Sequence, residues 1–125
     1  MQLVDYKKQY TFDYRCEESA RILRKYDDRV PIIVNKNHNS GLPPLEKCKF
    51  RVPKDLTCGQ FIHVIRKRVK LTPDQALFLF FGKNYLAPSS TSLAQVYDQY
   101  HDKDGFLYAT VQEESTFGTQ SKSML

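Results

Sequence analysis

The sequence predicts an α+β domain: one mixed sheet of four to five strands, a helix packed across it, and two helical segments ahead of it. Three observations carry this. The 125 residues fit one domain, and 41% hydrophobic content supplies one modest core. The apolar period changes along the chain between helical and strand spacing. A hairpin pattern is followed by a capped helix and then by two or more further strand patterns, the order of an α+β grasp.

Residues 5–9 form a basic-aromatic segment long enough for one turn of helix. Residues 12–26 read as a helix whose apolar stripe is Phe12, Cys16, Ala20 and Leu23, with Ile22 and Tyr26 beside it. Residues 29–36 are β-branched and apolar, which predicts a strand. Its Pro31 must sit where no ladder donor is needed. Residues 37–44 carry turn chemistry. Residues 47–53 alternate, with Lys47, Lys49 and Arg51 on one face and Cys48, Phe50 and Val52 on the other, so a half-buried strand with a basic outer face closes the hairpin.

Thr57 and Gln60 have capping-box spacing, and Leu56 with Phe61 has staple spacing, which predicts a helix from there to about Lys67. Arg66, Lys67 and Arg68 suit the negative end of its dipole. Thr72, Pro73 and Gln75 repeat the capping pattern and predict a brief helix. Residues 76–81 are a continuous apolar run of strand length, turned by residues 82–84, with 85–87 as a short return strand. Ser92 and Gln95 cap a last helix carrying Leu93, Val96, Tyr97 and Tyr100. A turn over 101–105 leads to a final strand over 106–112.

Several function classes fall away. No apolar run approaches the ~18 residues of a membrane span. The opening residues carry no apolar stretch of the secretory kind. Cys16, Cys48 and Cys58 cannot all pair and have no C-x-x-C spacing, so a reduced, cytoplasmic protein is expected and each cysteine reads first as a small hydrophobe. His38, His63 and His101 fall in a loop, a helix and a turn without metal-site spacing, and no glycine-rich phosphate loop occurs. No catalytic residue, metal or cofactor is expected. The formal charge of +5 is uneven. Eight cations face Asp55 alone over 47–70, whereas six acids face two lysines over 71–118. This polarity fits either a solvated basic face, the reading charge alone favours, or a directional interaction surface for an acidic protein motif, an anionic lipid or nucleic acid, and the acidic half opposes the last of these.

The segments Arg29-Val30-Pro31-Ile32-Ile33-Val34, 47–53, Asp55-Leu56-Thr57-Cys58-Gly59-Gln60-Phe61, Ile65-Arg66-Lys67-Arg68, Asp74-Gln75-Ala76-Leu77-Phe78, Phe106-Leu107-Tyr108 and Glu114-Ser115-Thr116-Phe117-Gly118 are colinear with one family. The chain resembles the autophagy-related ubiquitin-like modifiers of the GABARAP and light chain three type. The resemblance implies a ubiquitin-like β-grasp with two additional N-terminal helices over 1–118, and a removable tail over 119–125. It implies trimming after Gly118, which follows Phe117, by a processing cysteine protease. It then implies transfer by activating-like and conjugating-like enzymes to phosphatidylethanolamine on autophagosomal or vesicle membranes. A ubiquitin-like adaptor module that is never conjugated is the alternative.

The resemblance further implies a groove for acidic aromatic-x-x-aliphatic motifs that add a strand to the sheet edge. Its aromatic pocket would involve Glu18, Ile22, Pro31, Ile33, Lys49 and Phe106. Its aliphatic pocket would involve Phe50, Val52, Pro53, Leu56, Phe61, Val64 and Ile65. Arg29, Lys47 and Lys49 would attract the acidic flank. Arg51 stands where the family usually has leucine, so weaker aromatic anchoring or a stronger demand for acidic motifs is expected. Phe78 and Phe80 match a second family surface, although a core role suits an apolar run equally well.

Overall fold

The computed structural model describes residues 5–36, 48–69 and 71–115. The elements are α1 (Tyr6–Gln9), α2 (Phe12–Lys25), β1 (Arg29–Lys36), β2 (Lys49–Pro53), α3 (Cys58–Val69), β3 (Gln75–Phe81), β4 (Tyr85–Leu86), α4 (Leu93–Tyr100) and β5 (Leu107–Ser115). The five strands form one sheet in the order β2-β1-β5-β3-β4. β1 and β5 run parallel at its centre, and the other pairs are antiparallel. The expected hairpin of β1 and β2 is present in register, Val30 opposite Val52 and Ile32 opposite Phe50. Its turn, over 37–44, lies outside the described residues.

Strand alternation gives the sheet two faces. One face presents Val30, Ile32, Val34, Leu77, Leu79, Phe81, Leu107, Ala109 and Val111 to the inward sides of α3 and α4. The other presents Ile33 to Phe106, Tyr6 of α1 and Ile22 of α2. Pro31, on this second face, is buried.

Local chemistry explains the helix starts. The Thr57 hydroxyl accepts from the Gln60 N–H at 3.1 Å, and Gln60 Oε1 accepts from the Thr57 N–H at 2.9 Å, a closed capping box ahead of α3. Ser92 and Gln95 repeat it at α4. The third instance fails to make a helix. Thr72 turns its hydroxyl to Asp74 Oδ1 at 2.5 Å, while Arg66 Nη1 donates to the Gln75 carbonyl at 2.7 Å. Gln75 is already the first residue of β3, paired with Ser115, so residues 73–74 are only a turn.

The expected stripe on α2 is also corrected. Phe12 and Leu23 are 48% and 39% exposed, and Cys16 and Ala20 are half-buried. The inward residues are Arg15, Ser19 and Ile22. They face the turn before β5, where the Asp104 carboxylate accepts from Arg15 Nη1 at 2.6 Å and the Asp104 carbonyl accepts from the Ser19 hydroxyl at 2.5 Å. A polar partner selects a polar helix face, which hydrophobic periodicity does not register.

Candidate functional site

β2 is an edge strand: among the described residues nothing pairs with its outer side. The Val34 N–H donates to the Cys48 carbonyl at 2.8 Å, which sets the phase of the ladder. Phe50 and Val52 therefore direct their main-chain groups to β1, and Lys49 and Arg51 direct theirs to the open edge. Pro53 ends the row with no donor to offer. Pro31 lies on β1, opposite Arg51.

Most of the residues expected in the groove are gathered on the two flanks of this edge. Towards α2, Lys49 is half-buried and its Nζ lies 3.2 Å from Glu18 Oε1. Glu18 also receives Arg21 Nη2 at 2.9 Å. The Arg21 hydrogen bond, reinforced by Lys49 against the opposing effect of burial, holds the Glu18 carboxyl below its usual range. Behind this ion pair, Ile22, Ile33 and Phe106 form a packed floor with no more than 2% exposure each.

Towards α3, Phe50 meets Phe61 edge-on with ring centroids 5.5 Å apart. Phe50, Val52, Phe61 and Ile65 are buried, Leu56 and Val64 are half-buried, and Pro53 is exposed. Phe61 is wholly a core residue, so only the shallower Leu56, Val64 and Pro53 offer surface to a partner. Arg68 caps this flank with its guanidinium carbon 5.4 Å from the Phe50 ring centroid.

Arg51 shares the α2-facing side of β2 with Lys49 and is exposed. Its guanidinium lies over Tyr26, 4.9 Å from the ring centroid, and donates to the Tyr26 hydroxyl at 3.0 Å. The stem thus covers aromatic surface while the charge stays in water. Arg29 reaches the same edge from β1 and donates to the Arg51 carbonyl at 3.1 Å.

Other expected residues lie elsewhere. Phe78 and Phe80 are half-buried and alternate with the buried Leu77, Leu79 and Phe81, so they point away from the α3–α4 core. A core role on that face is excluded for both. Lys47, Phe117 and Gly118 lie outside the described residues. Among the described residues no His, Cys, Asp and Glu side chains cluster to hold a metal, and no helix is long and apolar enough to cross a membrane.

The family model described as Autophagy protein Atg8 ubiquitin like matches residues 14–118. The chain belongs to the Atg8 family. Autophagy-related protein 8A of Oryza sativa subsp. indica is 44% identical over 119 residues, covering 95% of this chain and 99% of the relative. Autophagy-related protein 8 of Candida glabrata is 46% identical over 115 residues, covering 92% and 97%. The crystal structure of Trypanosoma brucei ATG8 superimposes with a TM-score of 0.84 at 44% identity, covering 94% of this chain and all of that one. This Atg8-family protein therefore has the ubiquitin-like fold and acts in autophagy as a ubiquitin-like modifier rather than an enzyme.

The Atg8 fold also contains residues that the sequence pattern left unmarked. Tyr6 is 4% exposed and meets Phe106 edge-on at 5.4 Å, closing the floor behind Glu18 and Ile22. Asp104 anchors α2 from beneath. Tyr6 could have been found from its place in a one-turn helix that needs a tertiary anchor. Asp104 has no such local signal, because its partner lies 89 residues away.

Proposed function

We propose that this Atg8-family chain is processed after Gly118, releasing residues 119–125, and is conjugated through the Gly118 carboxylate to phosphatidylethanolamine. The domain is then residues 1–118. The observation that carries this reading is that the family match ends at Gly118, directly after Phe117. Glycine suits an acyl donor that must enter narrow enzyme channels in extended form, because no Cβ crowds the attacking thiol or amine. A diacyl lipid supplies two chains, and at ~0.8 kcal/mol per buried CH₂ two chains hold a protein stably where one does not.

On the membrane the protein recruits partners carrying acidic aromatic-x-x-aliphatic motifs. The motif adds a strand to β2 through the outward main-chain groups of Lys49 and Arg51. Its aromatic residue enters beside Glu18, Ile22, Pro31, Ile33, Lys49 and Phe106, opening the Lys49–Glu18 pair. Its aliphatic residue lies against Pro53, Leu56 and Val64, above the buried Phe50, Val52, Phe61 and Ile65. Arg29 and Lys47 attract the acidic flank.

Incubation with the cognate processing protease tests the first step. Mass spectrometry is expected to find a chain ending at Gly118, and on membranes the same chain bearing phosphatidylethanolamine. Gly118→Ala is expected to leave the protein diffuse in cells. Unchanged membrane distribution of that variant would instead establish an adaptor module that is not conjugated.

A further inference from the structure

The open edge of β2 is partly masked by the protein itself. Within residues 49–53, the outward acceptors are the carbonyls of Lys49, Arg51 and Pro53. The Pro53 carbonyl is taken by the Leu56 N–H at 3.1 Å, and the Arg51 carbonyl by Arg29 Nη1 at 3.1 Å. Among the described residues, only the Lys49 carbonyl of these three receives no donor. The two arginines at this edge have different commitments. Arg51 is drawn onto Tyr26, whereas Arg29, with 41% of its side chain exposed, is committed to the main chain. Among the described residues its one carboxylate neighbour within 4 Å is the adjacent Asp28, with Oδ1 3.9 Å from Nε, too long for a hydrogen bond.

We propose that Arg29 is a specificity-determining latch, drawn off the Arg51 carbonyl by an acidic residue of the incoming strand so that main-chain pairing along β2 can be completed. A guanidinium bonds a carboxylate more strongly than a neutral carbonyl, and does so with two parallel donors. An acidic motif therefore exchanges one Arg29 bond for a better one and gains the freed Arg51 acceptor as well. A neutral motif has nothing to draw the guanidinium away and must share the Arg51 acceptor with it. Acidity and strand pairing are thus coupled through a single residue, beyond ordinary charge attraction.

This inference rests on the strand-addition reading, and the experiment separates the two. The full chain and its Arg29→Ala and Arg29→Gln variants are titrated with two synthetic peptides sharing one aromatic-x-x-aliphatic core. One peptide is preceded by aspartates and the other by serines. The wild type is expected to prefer the acidic peptide. Each variant is expected to bind the serine peptide about two- to fivefold more tightly, the yield of one freed exposed acceptor, and the acidic peptide more weakly. The Arg51 carbonyl ¹³C resonance of the free protein is expected to move on substitution. An unmoved resonance, or a serine-peptide affinity that stays level or falls in a variant melting like the wild type, overturns the latch while leaving docking intact. Failure of the wild type to bind either peptide overturns docking, and the latch with it.

Discussion

Asp104 has no side-chain exposure, yet its carboxylate receives Arg15 Nη1 at 2.6 Å, the Tyr108 hydroxyl at 2.5 Å and the Phe106 N–H at 2.9 Å. Burial, and then the bond to Asp104, raise the Tyr108 phenol above its usual range. Arg15 is 11% exposed in its side chain and has no other carboxylate partner among the described ion pairs. Removing the carboxylate strands a nearly buried guanidinium, and a broken buried pair costs about 3 kcal/mol or more. Asp104→Ala is expected to lower the urea midpoint accordingly, with Asp104→Asn losing less because an acceptor remains. Cys58 offers a second test at this scale. It is 1% exposed, and burial pushes its thiol up to about 11. At pH 7.5 it is expected to resist alkylation in the folded protein and to react only on unfolding, after the half-buried Cys16 and Cys48. Labelling followed by peptide mass mapping gives that order.

α2 shows how one element can be legible in extent and misread in orientation. Its boundaries follow from periodicity almost to the residue, but its inward face is chosen by Asp104 and by Gly105, which no local pattern reveals. Gly105 has φ +93°, and a Cβ there would lie 2.3 Å from Ser19 Oγ and 3.0 Å from Ser19 Cβ. Gly105→Ala therefore combines backbone strain with a collision against α2, and a loss of about 2 kcal/mol is expected, partly restored by Ser19→Gly, which removes the colliding group. Thermal melts of the two single variants and the double variant check the coupling. The same layer is pinned by two carboxylates, Glu18 to β2 through Lys49 and Asp102 to α1 through Lys7 at 2.6 Å. Burial pushes Asp102 up, but the Lys7 ammonium and the Asp104 N–H outweigh it, and both carboxyls end below their unfolded values. A depressed folded pKa gives stability that is present above the unfolded value, about 4 for these groups, and is lost as pH falls through the folded one. Stability is thus expected to decline below about pH 4, and Glu18→Gln with Asp102→Asn to flatten that decline. An acid limb of equal slope in the double variant would assign the loss to other groups.

The sheet separates two packed layers, and they differ in how they are held. The α3–α4 side is a continuous apolar cluster built from strands and caps that the sequence spells out, namely the 29–36 run, the closed Thr57 and Ser92 boxes and the inward half of 75–81. The α1–α2 side is a small aromatic cluster stitched by polar contacts between residues some 90 positions apart, and those contacts leave no trace in local periodicity. The candidate groove straddles the two layers. Its aliphatic flank was readable as core, while its aromatic floor depends on Tyr6, which no stripe announces. This contrast predicts how the molecule opens. α1 has four residues and cannot persist alone, so its docking rests on Tyr6 against Phe106 and Lys7 against Asp102. Tyr6→Ala removes a ring that is 4% exposed, a truncation worth about 3 kcal/mol. Because α1 contributes nothing to the α3–α4 cluster, that loss is expected to appear as local opening rather than global unfolding. Native-state hydrogen exchange is expected to show faster exchange in α1 and at the Tyr10 N–H, which bonds to the Tyr6 carbonyl, with β1, β3 and β5 still protected close to the global limit. Uniform acceleration across both layers would mean that the sheet transmits the loss, and that the two sides form one cooperative unit.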